Sequence, residues 1–77
     1  MKFQIGQTIK SYDFPSHDDC YMTGEIVSIE CGIIEAKIVE WISLGENIEF
    51  QPDETFTTPV EMMFEDLYRD HPRIEVL

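Results

Sequence analysis

The side chains best suited to chemistry lie in one short segment between Ser11 and Gly24, which contains His17, Asp18, Asp19 and Cys20. Imidazole, carboxylate and thiolate groups are the usual protein ligands of zinc and other transition metals. However, consecutive loop residues rarely converge on one ion, the sequence has no C-x-x-C or H-x-x-x-H pair, and a structural site needs a full set of ligands. We therefore expect no metal and no other cofactor. The part from Pro15 to Cys20 is interpreted as a surface loop whose aspartates bond nearby backbone amides.

Catalysis has little support in the sequence. There is no nucleophile elbow and no glycine-rich phosphate loop, and neither His17 nor His71 has an evident serine or cysteine partner. A chain of 77 residues also leaves little room for a deep pocket. The sequence predicts that the protein is not an enzyme.

Charge and length restrict the classes of partner. Sixteen acidic residues against five basic ones give a formal net charge of −11. This charge repels phosphate backbones and anionic lipids, so direct nucleic-acid binding and membrane binding are not expected. The apolar runs are short and the first residues lack a signal-peptide core, which predicts a cytoplasmic protein. Residues 1–77 form one predicted domain, and Cys20 and Cys31 are interpreted as free thiols because they bracket a single strand.

Period-two patterns predict five strands. Gly24 marks an expected bulge in the second strand, and Cys31-Gly32 an expected tight turn before the third. In the third strand one face is predicted to enter the core: Ile34, Ala36, Ile38 and Ile42. The predicted strands cover Gln7–Phe14, Tyr21–Glu30, Ile33–Ser43, Ile48–Gln51 and Arg73–Leu77, and Gly45-Glu46-Asn47 is interpreted as the turn between the third and the fourth.

A helix is predicted before the last strand. Thr58 is a suitable N-cap, Pro59 suits the first helical position, and Glu61 completes a capping box. Apolar residues recur at helical spacing from Val60 onward, and Pro72 prevents continuation. The apolar face would comprise Val60, Met63, Phe64, Leu67 and Tyr68, and the acidic face Glu61, Glu65, Asp66 and Asp70.

Four strands, one short helix and a closing strand follow the order of a small five-stranded SH3-like barrel. The predicted fold class is therefore mainly β. An OB-like barrel is the alternative, although its helix normally lies between the third and fourth strands.

The first third of the chain also resembles a narrower group. Gly-Gln-Thr-Ile-Lys-Ser-Tyr-Asp-Phe-Pro, starting at Gly6, followed by Asp19-Cys20-Tyr21 and Gly24-Glu25-Ile26-Val27, is similar to small uncharacterised proteins of tailed phages and bacteria. The resemblance implies a small barrel and a viral source. It implies no mechanism and carries no site residues over.

The acidic surplus suggests a surface that binds a basic patch on another protein. Where such a patch holds DNA or RNA, an acidic barrel can compete by imitating phosphates, as small acidic phage inhibitors do as a class. The alternative is a structural subunit that associates with itself or with a virion protein. The predicted protein-binding residues are Asp13, Asp18, Asp19, Glu61, Glu65, Asp66 and Asp70, with Tyr12, Tyr21 and Trp41 as aromatic anchors.

Overall fold

A computed structural model describes residues 3–65 and 70–77 of the chain. Within these residues the chain forms six strands and no helix. The strands are β1 (Thr8–Tyr12), β2 (Tyr21–Glu30), β3 (Ile33–Ser43), β4 (Glu46–Asn47), β5 (Thr55–Pro59) and β6 (Ile74–Val76).

All strand pairs are antiparallel, and the sheet order is β4-β3-β2-β1-β6. One edge of β3 carries two partners, because β4 pairs with Ile42 and Ser43 while β5 pairs with Ile33 to Lys37. The described parts of β5 and β6 do not pair with each other, so the sheet is not closed into a barrel. An isolated bridge between Met63 and Pro72 lies between them.

The long hairpin of β2 and β3 is the centre of the sheet. Its turn residues Cys31 and Gly32 have φ angles of 51° and 74°, as in the type I′ turns that match the twist of paired strands. Glu30 and Ile33 form the last pair before the turn. The predicted turn and the predicted bounds of both strands are confirmed.

Gly24 lies at a shift in the register of β2 and β3. Thr23 pairs with Glu40 but Gly24 pairs with Ile38, so Val39 is an extra residue on β3. A Cβ atom on Gly24 would lie 2.6 Å from Cε2 of Phe56 and 2.8 Å from the carbonyl oxygen of Lys37. The bulge expected at Gly24 is confirmed, and glycine is required there because an aromatic ring and a carbonyl approach the backbone closely.

The core is built mainly from isoleucine. Ile9, Ile26, Ile34 and Ile74 are fully buried, and each contributes about 1.5–3 kcal/mol through removal of apolar area from water. Phe3 and Ala36 complete this cluster, with Ile29, Phe56 and Val60 packed against it. Ile34, Ala36, Ile38 and Ile42 of β3 are all buried as predicted. Their predicted common face is confirmed for the first three only, because the extra residue Val39 places Ile42 on the opposite face, that of its partner Tyr21.

The predicted helix is wrong for residues 58–65. Thr58 and Pro59 end β5, and Val60 donates its backbone N–H to the carbonyl of Gly32 at 3.0 Å, which continues the ladder with β3. The Thr58 side chain is buried and accepts a hydrogen bond from the Ser11 hydroxyl at 3.4 Å, so it caps no helix. A cap contributes only about 1 kcal/mol, which strand pairing and burial exceed. The remaining helix residues Asp66, Leu67 and Tyr68 lie outside the described residues.

The predicted fourth strand is also wrong. The turn after β3 is Leu44-Gly45 and the short β4 begins at Glu46, whereas residues 48–51 are irregular apart from a bond from the Ile48 N–H to the Trp41 carbonyl at 2.9 Å. The place of the predicted fourth strand in the sheet is taken by β5, which pairs with β3 over five residues. The sequence patterns did not predict this strand. β1 and β6 occur within their predicted ranges and are shorter at both ends.

Candidate functional site

The loop of residues 13–19 joins β1 to β2 and is fixed at its base. The Asp13 N–H donates to the Cys20 carbonyl at 3.1 Å, which closes the loop. Cys20 is buried, and its sulfur accepts the Leu44 N–H at 3.4 Å. The Gly45 N–H donates to the Asp19 carbonyl at 3.1 Å. The loop therefore packs beside the Leu44-Gly45 turn.

The segment before β6 reaches the same loop from elsewhere in the chain. The Ser16 hydroxyl lies 3.0 Å from Nε2 and 3.2 Å from Nδ1 of His71. This contact brings the segment that carries Asp70 next to the loop. Together these contacts gather exposed carboxylates from three segments, here called the acidic end: Asp13, Asp18, Asp19, Glu46 and Asp70.

The other predicted acidic residues are not part of this cluster. Glu61 and Glu65 are exposed in the irregular segment after β5, and no hydrogen bond or ion pair among the described residues joins them to the loop. Asp66 lies outside the described residues. The predicted acidic helix face is therefore replaced by a cluster formed through loop contacts.

Tyr12 and Tyr21 meet on the sheet surface next to the acidic end. They are directly paired in β1 and β2, with ring centroids 6.1 Å apart and planes inclined at 60°. The Lys10 ammonium lies over both rings, 4.0 Å from the Tyr21 centroid and 5.0 Å from that of Tyr12. The Tyr12 hydroxyl donates a hydrogen bond to the Glu75 carboxylate. A cation of the protein itself therefore occupies this ring pair.

The neighbours shift the proton affinities of this group. Burial lowers the pKa of Lys10, but its hydrogen bond to Tyr12 and the charges of Tyr12, Tyr21 and Glu75 outweigh burial and raise it. Burial and the hydrogen bond to Glu75 raise the pKa of Tyr12. Lys10 is thus a stable cation and Tyr12 a stable donor at neutral pH.

Trp41, the third predicted aromatic anchor, lies apart from the tyrosines. It pairs with Met22, which in turn pairs with Ser11. Because paired residues share a face and successive residues alternate, Trp41 lies on the face opposite to Tyr12 and Tyr21. The structure therefore brings two of the three predicted anchors together.

The carboxylates of the described residues are almost entirely without cationic partners. All are exposed except Glu35, which is half-buried. The one ion pair in this part of the chain joins Lys37 to Asp53 at 3.7 Å. Desolvation raises the pKa of Asp13, the carboxyl at the base of the loop. No lysine or arginine among the described residues forms an ion pair with the carboxylates of the acidic end.

Sequence reasoning missed the contact between Ser16 and His71, because no serine partner was expected for either histidine. It also missed Leu44, Glu46 and Lys10. Leu44 and Glu46 were missed because the turn was placed one residue too late. The signal was Gly45, which favours the second position of a two-residue turn. The position of Lys10 over the tyrosines required the register of β1 and β2.

The chain was also compared with known protein families, curated proteins and solved structures. No protein-family model, no curated protein and no solved structure matches this chain. Among the described residues, no group of three or more His, Cys, Asp or Glu side chains is arranged to hold a metal ion. In the same residues no helix has the length and apolar character needed to cross a bilayer.

Proposed function

We propose that the protein is a non-enzymatic binding module whose acidic end docks on a basic surface of another protein. The observation that carries this proposal is a group of five exposed carboxylates on three chain segments, with which no lysine or arginine of the described residues forms an ion pair: Asp13, Asp18, Asp19, Glu46 and Asp70. An uncompensated charge of this kind steers encounter with a positively charged partner and disfavours neutral or acidic ones.

The partner we propose is a nucleic-acid-binding protein of the host cytoplasm. Its Lys and Arg side chains hold phosphates, and the carboxylates of the acidic end would occupy the same positions without any chemical step. The formal charge of −11 supports competition with nucleic acid and opposes binding to it. In this role the protein is an inhibitor, and we propose that it is phage-encoded because the resemblance of its first third implies a viral source.

The fold we propose is an SH3-like barrel that is open along one seam. The strand order β6-β1-β2-β3-β5 supports this proposal, because it is the order of neighbouring strands in that barrel. The Arg73 N–H donates to the Met62 carbonyl at 2.8 Å and the Phe64 N–H donates to the His71 carbonyl at 3.2 Å. These bonds join the segment after β5 to the segment before β6, which is where the barrel would close.

Affinity capture from bacterial lysate tests this proposal. The tagged protein is compared at about 50 mM and about 500 mM salt, and bound proteins are eluted with duplex DNA or RNA and identified. The matched variants each remove three charges, Asp13→Asn/Asp18→Asn/Asp19→Asn within the acidic end and Glu25→Gln/Glu30→Gln/Glu49→Gln outside it. We expect a nucleic-acid-binding protein that salt and duplex release and that only the first variant loses. Capture that neither salt nor the first variant affects would refute the proposal.

A second function, a subunit of a larger assembly, is favoured by the free edge of β5. In the described residues β5 pairs only with β3, so the backbone groups of Thr55 and Thr57 on the far side have no strand partner. Such an edge can accept a strand from a second copy or from a virion protein. Mass measurement in solution separates the two functions, because a stable oligomer that persists at high salt is expected only of the subunit.

A further inference from the structure

We infer that the free edge of β5 is a second binding site, which takes an extended basic segment of another protein as an additional antiparallel strand. The added segment carries Lys or Arg at alternate positions, with β-branched apolar residues between them. This site is separate from the acidic end, so the inference does not rest on the function proposed above.

The backbone of β5 leaves every second residue without a strand partner. The Glu54 carbonyl, just before the strand, accepts the Ile38 N–H at 2.9 Å and therefore faces β3. Because backbone groups alternate in direction along an antiparallel ladder, those of Thr55 and Thr57 point away from β3. No other strand in the described part of the chain pairs with this side, and both threonines are exposed. The chemistry that matches their N–H and carbonyl groups is an extended backbone.

A carboxylate lies beside this edge on the face of the sheet opposite to the core. The Thr55 hydroxyl donates to the Glu35 carboxylate at 2.9 Å. Glu35 also pairs with Thr57 across the ladder, so the three side chains share that face. A residue added opposite Thr57 points its side chain to the same face, about 10 Å from Glu35 across two strand spacings. An extended Lys or Arg side chain and the glutamate together span this distance.

The remaining charge around β5 is also mainly negative. Asp53 and Glu54 precede the strand and Glu61 follows it, and all three are exposed. Lys37 offsets one of these charges through its ion pair with Asp53 at 3.7 Å. A second copy would bring its own net charge of −11 and, in the register centred on Thr57, would place its Glu61 opposite Asp53. Charge complementarity therefore selects a basic segment over a second copy.

The core-facing side of β5 determines the residues between the cations. Phe56 is half-buried and packs against the isoleucine core, and Thr58 is buried. The intervening side chains of an added strand would lie on this side, next to Phe56. β-branched apolar residues suit such a position, because they pack well on a half-buried pleated surface. Pro59 has no N–H and ends the pairing, so the site accommodates a short segment.

Two peptides of alternating Lys and Val test the inference on the wild-type protein. One is N-methylated at its lysines, whose N–H groups would face β5, and the other at its valines, whose N–H groups would face away. Both have the same length and charge, and binding of each labelled peptide is followed by fluorescence anisotropy. We expect the valine-methylated peptide to bind about tenfold or more tightly, because the other loses backbone hydrogen bonds to β5. Equal binding of the two peptides, or binding of neither, would overturn the inference.

Thr57→Pro is the matching change in the protein. It removes an N–H that faces away from β3, so the ladder between β3 and β5 keeps its bonds. Val76→Pro is the control on another edge, since the adjacent Leu77 N–H bonds the Thr8 carbonyl and the Val76 N–H therefore faces away from β1. Thermal unfolding verifies that both variants fold. Only Thr57→Pro should weaken binding of the valine-methylated peptide, by about tenfold, and unchanged binding would refute the site.

Two further measurements separate this site from other occupants and from the acidic end. The variant Asp13→Asn/Asp18→Asn/Asp19→Asn should retain the wild-type preference between the peptides, and its loss would place their binding at the acidic end instead. A wild-type dimer in solution that Thr57→Pro dissociates would show that a second copy occupies the edge. Either result would overturn the inference, whereas the salt-sensitive capture that tests the proposed function does not depend on them.

Discussion

The sulfur of the buried Cys20 accepts the backbone N–H of Leu44 at 3.4 Å. This bond joins residues 24 positions apart and ties the acidic loop to the turn that carries the exposed leucine. The Cys20 side chain therefore joins two segments that are distant in the chain.

The two thiols should differ sharply in reactivity. Cys20 is buried and Cys31 is exposed. We expect a thiol reagent to modify one cysteine per chain in the native protein and two after denaturation. In Cys31→Ala the native reaction should disappear, and in Cys20→Ala it should persist. Two equally fast native reactions would contradict the burial of Cys20.

Gly24→Ala should destabilise the fold by about 1–3 kcal/mol, because the new methyl group would overlap the Phe56 ring and the Lys37 carbonyl. Urea denaturation measures the free energy of unfolding. As a control, the same change in a Phe56→Leu background should be less harmful, since one of the two clashing groups is gone. Equal losses in the two backgrounds would show that the ring does not limit this position.

Asparagine at either type I′ turn should stabilise the protein. Leu44→Asn and Cys31→Asn each replace a residue at positive φ by one that favours this conformation, and we expect gains of about 0.5–1 kcal/mol. Thermal and urea unfolding measure the gain. A loss of stability in Leu44→Asn alone would contradict this expectation and indicate that the exposed leucine supports the fold.

Lys10→Met should lower stability by about 0.5–1 kcal/mol, because the ammonium leaves the faces of Tyr12 and Tyr21. Lys37→Met is the matched control. It changes the net charge equally but removes only an exposed ion pair with Asp53, which contributes little. Equal effects of the two substitutions would show that net charge, and not the ring contact, determines the loss.

The change in unfolding free energy caused by Asp13→Asn should depend on pH. Desolvation raises the pKa of Asp13 above its ordinary value of 3.8, so the ionised form opposes folding at neutral pH. This opposition is complete above the folded pKa and vanishes below the unfolded value. The variant should therefore be more stable than wild type at neutral pH, with the difference falling towards zero below roughly pH 3.

Glu49→Gln provides the control for Asp13→Asn, since it removes one exposed carboxylate outside the loop. Urea unfolding across the acid range measures both variants. A difference between Asp13→Asn and wild type that grows on acidification would reverse the sign expected from desolvation.

The sequence alone was sufficient to predict the hairpin of β2 and β3 at the centre of the sheet. The strand pattern of β3, the turn at Cys31-Gly32 and the bulge at Gly24 all indicate the hairpin that forms. Their contacts are close in the chain, so local pattern and final pairing agree. The charge that underlies the proposed function is likewise a property of composition.

The conformation of residues 55–65 was determined only by tertiary contacts. The capping box at Thr58 specifies a helix by contacts within a few residues, whereas pairing of Thr58 with Ile34 and its bond to Ser11 come from distant strands. The long-range interactions are stronger, because they bury the side chain and satisfy its backbone at once.

The acidic end was also decided by tertiary contacts. Its aspartates were recognisable from the loop composition, but the contact between Ser16 and His71 joins residues 55 positions apart, and Leu44 approaches Cys20 across two strands. No local pattern encodes such encounters, since they depend on how the sheet arranges its loops. The sequence thus determined which charges the protein carries, and the fold determined which of them meet.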